Sequence, residues 1–232
     1  MPAHGILPPT EVAVLARMIL RQHASPNCGP RRDGLLPTLI VIHYTAMENA
    51  RAAVERLCDP AAEVSAHYLI AASGDVIQMV PENLRAWHAG TGNWAGQGDV
   101  NSRSIGIELD NRGTHPFAHA QMNALEELLR GVMARWNIPS EGVIGHSDMA
   151  PGRKSDPGPH FDWDRLAQQG LAKKKCSDPA EPAHFRARAR AAGYTADVDD
   201  ETLLGAVRLR FRPFARGSLT QQDVAVLPEQ SA

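Results

Sequence analysis

The run Leu39-Ile40-Val41-Ile42, closed by His43, is four aliphatic residues long, and three of them are β-branched. It reads as a buried strand that delivers a histidine at its end. Upstream, Pro26 to Asp33 (PNCGPRRD) is dense in turn formers and separates this strand from an N-terminal extension, residues 1–25, that has room for a helix. Downstream, the alternation of Ala66–Ala71, the Ser73-Gly74-Asp75 turn and Val76–Val80 predict a hairpin. Ser104–Leu109 predicts a third strand, and Val143-Ile144 a short one just ahead of His146. Between them Asn49–Leu57 has helical composition. Ala118–Trp136 carries Met122, Leu125, Leu128, Leu129, Val132 and Met133 near helical period. This order predicts an α/β fold, a mixed central β-sheet flanked by helices, over residues 26–172. The composition then turns charged and proline-rich (Lys173-Lys-Lys175, Asp178-Pro179, Glu181-Pro182), which predicts a linker over 173–182. Three helical patterns follow, His184–Ala192, Glu201–Arg210 and Leu219–Val226, and predict a small C-terminal α-helical domain over 183–232. A linker there implies that the residues before it fold without these helices.

The chain has 232 residues, 43% hydrophobic and 22% charged, with a mean hydropathy of −0.30. Those values suit a soluble globular protein and argue against disorder or a membrane-embedded body. No apolar run reaches membrane-spanning length. Twenty-four basic against 26 acidic residues give a net charge of −2, so the global basic field that drives sequence-independent nucleic-acid binding is missing. Cys28, Cys58 and Cys176 are odd in number and widely spaced. They suggest neither a disulfide framework nor a CxxC zinc site, and fit a reducing compartment. The N-terminal apolar stretch is broken by Arg17 and Arg21 and lacks a basic leader. The expectation is therefore a cytoplasmic protein, with the periplasm as the alternative and Met18 as an alternative start. Nothing in the sequence sets an oligomeric state.

The densest cluster of reactive side chains is Gly145-His-Ser-Asp-Met-Ala-Pro-Gly-Arg-Lys-Ser-Asp-Pro-Gly158. It places a histidine, a lysine and two aspartates on a loop that Pro151 and Pro157 constrain. With His43 the chain can supply two imidazoles and a carboxylate, the three-ligand arrangement of a catalytic zinc with its fourth position open. Spacing alone leaves satisfied structural histidines, and a turn-forming Asp156 before Pro157, as alternatives.

Five blocks, in order, carry a resemblance: Val41-Ile-His-Tyr-Thr45, Val64-Ser-Ala-His-Tyr-Leu-Ile70, Arg85-Ala-Trp-His-Ala-Gly90, Ser104-Ile-Gly-Ile-Glu-Leu109 and the Gly145–Gly158 loop. Over about residues 26 to 170 the chain resembles the zinc-dependent N-acetylmuramoyl-L-alanine amidases of the AmpD/AmiD type. The resemblance implies zinc-assisted hydrolysis of the amide between an N-acetylmuramoyl or anhydro-N-acetylmuramoyl group and L-alanine, with peptidoglycan fragments as substrates, in cell-wall recycling or turnover. It implies His43, His146 and Asp156 as ligands of Zn²⁺. Glu108 is implied as the residue that orients or deprotonates the water, and Lys154 as the cation that stabilises the oxyanion. His67, Tyr68, Trp87 and His88 fall in matched blocks and are implied to line the substrate groove. Related phage lysozyme-type amidases carry a tyrosine where Ala66 stands and a cysteine near Asp156, which shifts the proton-handling burden here to Glu108. The C-terminal stretch resembles small three-helix peptidoglycan-binding domains only in Ala192-Gly-Tyr194 and Val207–Pro213. Its arginines, among them Arg188, Arg208, Arg210 and Arg212, read either as a solvated face or as partners for acidic muropeptides or a neighbouring chain.

Overall fold

A computed structural model describes residues 20–229. The expectations for the first nineteen residues, including a helical extension, the reading against a leader and a start at Met18, lie outside the described residues. The elements run β1 (Leu20–Gln22), β2 (Cys28–Pro30), β3 (Leu39–Tyr44), α1 (Ala50–Cys58), β4 (Tyr68–Ile70), β5 (Val76–Gln78), β6 (Leu84–Ala86), α2 (Val100–Arg103) and β7 (Ser104–Leu109). They continue with α3 (His119–Trp136), β8 (Val143–Gly145), α4 (His146–Met149), α5 (Trp163–Gln168), α6 (Phe185–Ala192), α7 (Asp200–Phe211) and α8 (Gln221–Ala225).

Six strands form one sheet in the order β1-β5-β4-β7-β3-β8. Strands β4, β7, β3 and β8 pair in parallel, β4 and β5 are antiparallel, and β1 is parallel to β5, so the sheet is mixed as expected. For its described end the helical reading of the extension is corrected: pairing with the open edge of β5 makes Leu20–Gln22 a strand. The turn-rich PNCGPRRD segment is likewise not all turn. Its Cys28–Pro30 pairs with Leu84–Ala86, and that two-stranded ribbon fixes the point from which residues 87–89 enter the sheet face.

Period-two alternation decides which side chains reach which face. On β3, Ile40 and Ile42 join Ile105, Ile107 and Leu109 of β7 in a cluster with Met122, Leu125, Leu129 and Val132 of α3. Leu39 and Val41 face the other way, into a cluster with Phe185 and Ala189 of α6 and Leu203, Leu204, Val207 and Phe211 of α7. His43 follows Leu39 and Val41 in that alternation. On β7 the residues left over from the α3 face are Ser104, Gly106 and Glu108, a polar line in a central strand.

The C-terminal helices therefore share a core with the sheet. Arg210 Nη1 donates to Asp148 Oδ2 (2.8 Å) and Nη2 to the Val143 carbonyl (3.1 Å), and the guanidinium lies 4.0 Å over the Trp163 ring. The Tyr194 hydroxyl donates to Asp148 Oδ1 (2.6 Å). Arg208 and Arg212 both pair with the fully buried Asp223, and Arg188 with Glu229. These arginines hold the helices together instead of forming a solvated face. Among the described residues no helix is long and apolar enough to cross a membrane.

Candidate active site

Three neighbouring parallel strands end at one place. His43 is the fifth residue of β3, Glu108 is its direct partner across the β3–β7 ladder, and His146 follows β8 immediately. In sheets of this kind the carboxyl ends of parallel strands are where ligands bind, because loops diverge there and leave a crevice. Asp156 returns to the spot on the constrained loop after α4.

His43 Nδ1 lies 2.8 Å from Asp156 Oδ2 and 3.0 Å from His146 Nδ1, and His146 Nδ1 lies 3.1 Å from the same carboxylate oxygen. All three residues are buried. The His146 Nε2 lies 2.8 Å from the Ala89 carbonyl. It must donate there, so a neutral His146 turns the lone pair of Nδ1 toward the other two atoms. A tetrahedral metal with bonds near 2.0–2.1 Å separates its donors by about 3.3 Å, close to this triangle. Imidazole nitrogen and carboxylate oxygen are suitable donors, so His43, His146 and Asp156 could together hold a metal ion. Burial and the neighbouring His146 pull the His43 pKa down to about 4, which keeps that imidazole neutral and available as a ligand.

A cavity of about 420 Å³ opens over this triangle, and Glu108, Lys154, Trp87 and His88 line it with His43, His146 and Asp156. Glu108 Oε2 is buried with no hydrogen-bond partner. Burial first, and the Asp156 charge second, push the Glu108 pKa up to about 8 against the opposing pull of Lys154. A carboxyl so placed can hold or release a proton near neutrality. Lys154 is exposed at the cavity wall, whereas the adjacent Arg153 turns its guanidinium to the Ala89 and Thr91 carbonyls.

Two of the implied groove residues sit elsewhere. His67 is wholly buried, with Nδ1 accepting from the Gly106 N–H (2.9 Å) and Nε2 against the Leu84 carbonyl (3.1 Å). It completes the β4–β7 ladder and does not reach the cavity. Tyr68, one step along the alternation, goes to the α3 face and donates its hydroxyl to Glu82 (2.7 Å). Sequence reasoning missed Asp148, Tyr194 and Arg210 beneath the loop, and Asn101 and Ser104 beneath His88. An available signal was the Gly145-x-x-Asp148 spacing, by which Asp148 Oδ2 accepts from the Gly145 N–H (2.7 Å) at the start of α4.

Fold and site together define a class: hydrolases in which the carboxyl ends of parallel strands in a mixed sheet gather two histidines and a carboxylate that could hold a metal ion. Within that class the chain belongs to the N-acetylmuramoyl-L-alanine amidase family, whose model matches residues 33–159. It is 43% identical over 149 residues to the N-acetylmuramoyl-L-alanine amidase AmiD of Escherichia coli, a match covering 57% of this chain and 53% of that protein, so about half of that relative's length. It is 36% identical over 163 residues to the 1,6-anhydro-N-acetylmuramyl-L-alanine amidase AmpD of Escherichia coli, covering 63% of this chain and 89% of that one. Among solved structures it is similar to Escherichia coli AmiD in complex with anhydro-N-acetylmuramic acid-L-Ala-D-γ-Glu-L-Lys, with a TM-score of 0.74, 31% identity and coverage of 88% of this chain and 90% of that one. Pseudomonas aeruginosa AmpDH3 is similar with a TM-score of 0.72, 32% identity and coverage of 88% and 92%.

Proposed function

We propose that the chain is a zinc-dependent amidase that hydrolyses the amide joining an N-acetylmuramoyl or anhydro-N-acetylmuramoyl lactyl group to L-alanine in muropeptides, in cell-wall recycling or turnover. The observation that carries this reading is the buried His43–His146–Asp156 triangle under a cavity that also holds the Glu108 carboxyl and the Lys154 ammonium. Membership in the amidase family and the likeness to AmiD in complex with an anhydromuramoyl peptide support the choice of substrate class.

A zinc ion held by His43, His146 and Asp156 would polarise the amide carbonyl and acidify the attacking water. Glu108 takes the proton that this water gives up as its oxygen bonds to the carbonyl carbon. It delivers that proton to the amide nitrogen as the carbon–nitrogen bond breaks, leaving a muramoyl carboxyl group and a peptide with a free L-alanine amine. Burial of the Glu108 carboxyl favours its protonated form, which helps it hold that proton between the two transfers. Lys154 faces the negative charge that develops on the carbonyl oxygen. Trp87 offers a flat apolar wall to sugar or peptide at the cavity edge. We assign the C-terminal helices the role of a cover for the sheet face beneath the site.

Removing and restoring metal tests the reading. Chelation should abolish hydrolysis of an anhydro-muropeptide and zinc should restore it, whereas full activity in verified metal-free protein would overturn it.

A further inference from the structure

We infer that His88 is a positioning residue which, held by Asn101 and Ser104, fixes the tautomer and ring orientation of His43. This rests on the proposed metal-binding role of His43.

The inference follows from hydrogen bookkeeping along one chain of contacts. The Ser104 hydroxyl donates to the Val100 carbonyl (2.6 Å), which uses its single proton. His88 Nε2 lies 3.1 Å from that same hydroxyl oxygen, so the oxygen can only accept and His88 must carry its proton on Nε2. In a neutral imidazole that leaves His88 Nδ1 as a bare acceptor. His43 Nε2 lies 3.0 Å from it, so the proton between them belongs to His43 Nε2. The remaining nitrogen of His43, Nδ1, then joins His146 Nδ1 and Asp156 Oδ2 as one of three acceptors that only a cation can satisfy together. The hydroxyl at the far end of this relay thus dictates which His43 nitrogen is free to bind a cation.

The surroundings are arranged for this ring. Asn101 Oδ1 accepts from the backbone N–H groups of both His88 (3.0 Å) and Ala89 (2.8 Å). The short helix α2 therefore grips the His88 backbone through Asn101, and Ser104, directly after α2, holds its ring. Gly106, the one residue without a side chain on the polar line of β7, lies beneath: a Cβ there would sit 2.5 Å from His88 Cγ and about as close to two more ring atoms. A glycine inside a central strand weakens it and marks close approach by another group, here the His88 imidazole. The ring stands edge-on to His43, with centroids 5.1 Å apart and planes at 82°. His88 thus does more than line the cavity. Partners behind a ligand histidine typically change metal affinity about 10- to 100-fold when removed, because they set both tautomer and basicity.

The test uses the full chain and two readouts besides activity. Long-range proton–nitrogen spectra of the zinc-loaded wild type should show His43 and His88 both protonated on Nε2. Zinc affinity, from competition with a chromophoric chelator, should fall about 10- to 100-fold in His88→Leu and in Ser104→Ala. It should stay near wild type in His88→Gln, whose amide can still accept from His43 and donate to Ser104. The relay is refuted if His43 carries no proton on Nε2 in the zinc-loaded protein. It is equally refuted if Ser104→Ala, or a folded His88→Leu, binds zinc as tightly as wild type. Should His88→Leu not fold, the wild-type tautomer and Ser104→Ala decide the matter. A wild type that binds no zinc would instead contradict the proposed function, while the His88 tautomer, set by Ser104, would still be readable.

Discussion

Replacing Arg210 with methionine removes a charge while keeping most of the side-chain volume, and it reaches the His43–His146–Asp156 triangle through Asp148. The Arg210 and Asp148 side chains are 4% and 1% exposed and 2.8 Å apart. Breaking such a pair from one side leaves a buried, uncompensated carboxylate, which costs about 3–5 kcal/mol. The lost bond to the Val143 carbonyl and the lost stacking on Trp163 act in the same direction. Against a total stability of about 5–15 kcal/mol, that is a large fraction. Asp148 also accepts from the Gly145 N–H at the start of α4, so the disturbance falls one turn from His146. Urea unfolding of Arg210→Met should show the loss in its midpoint with an unchanged slope, and zinc affinity should drop with it. Adding Asp148→Asn should recover part of the loss, because the stranded charge disappears while the amide oxygen can still accept from the Gly145 N–H and the amide NH2 can donate to the Tyr194 hydroxyl oxygen. A single-variant cost under about 1 kcal/mol, or no recovery in the double variant, would refute this account of the C-terminal helices.

Deleting residues 177–232 should yield insoluble or unfolded protein, since it bares the Leu39, Val41 and Ile144 face and strips Asp148 of two partners; a soluble truncated chain with native melting behaviour would contradict this. His146→Ala and Asp156→Ala should lose both metal and activity, whereas Lys154→Ala should keep its zinc and lose about 10²-fold or more in kcat; metal analysis beside kinetics separates the two groups. Glu108 has a folded pKa near 8 against 4.5 unfolded, so the folded state binds its proton more tightly and metal-free stability falls as pH rises from 4.5 to 8. Glu108→Gln should therefore stabilise the metal-free protein by about 2–3 kcal/mol at neutral pH, after discounting for contact with cavity water, and by almost nothing near the unfolded pKa. A gain independent of pH would sink that explanation.

Long periodic segments were legible in the sequence. Leu39–Ile42, Ser104–Leu109 and Ala118–Trp136 become β3, β7 and α3 within a residue or two at their ends, because their apolar period matches the surface they bury. Three-residue strands such as Leu20–Gln22 and Leu84–Ala86 carry too few residues to show a period, and only pairing with a distant segment makes them strands. At the site, His43, His146, Asp156, Glu108 and Lys154 stood in recognisable blocks and the fold gathers them around one cavity. The supports were not legible. Whether His67 or His88 reaches the site depends on which way each ring turns from its strand or loop. The Arg210–Asp148 pair joins residues 62 apart with no local pattern to announce it.

The most direct test of the central claim is the mass of the products released from a purified anhydro-muropeptide. The account predicts two species, an intact anhydro-muramoyl sugar bearing a free lactyl carboxyl and a complete stem peptide beginning with unmodified L-alanine. Both should appear with zinc-loaded protein and neither with Glu108→Gln. Cleavage within the peptide or the glycan, or the same two products from Glu108→Gln at the wild-type rate, would contradict it.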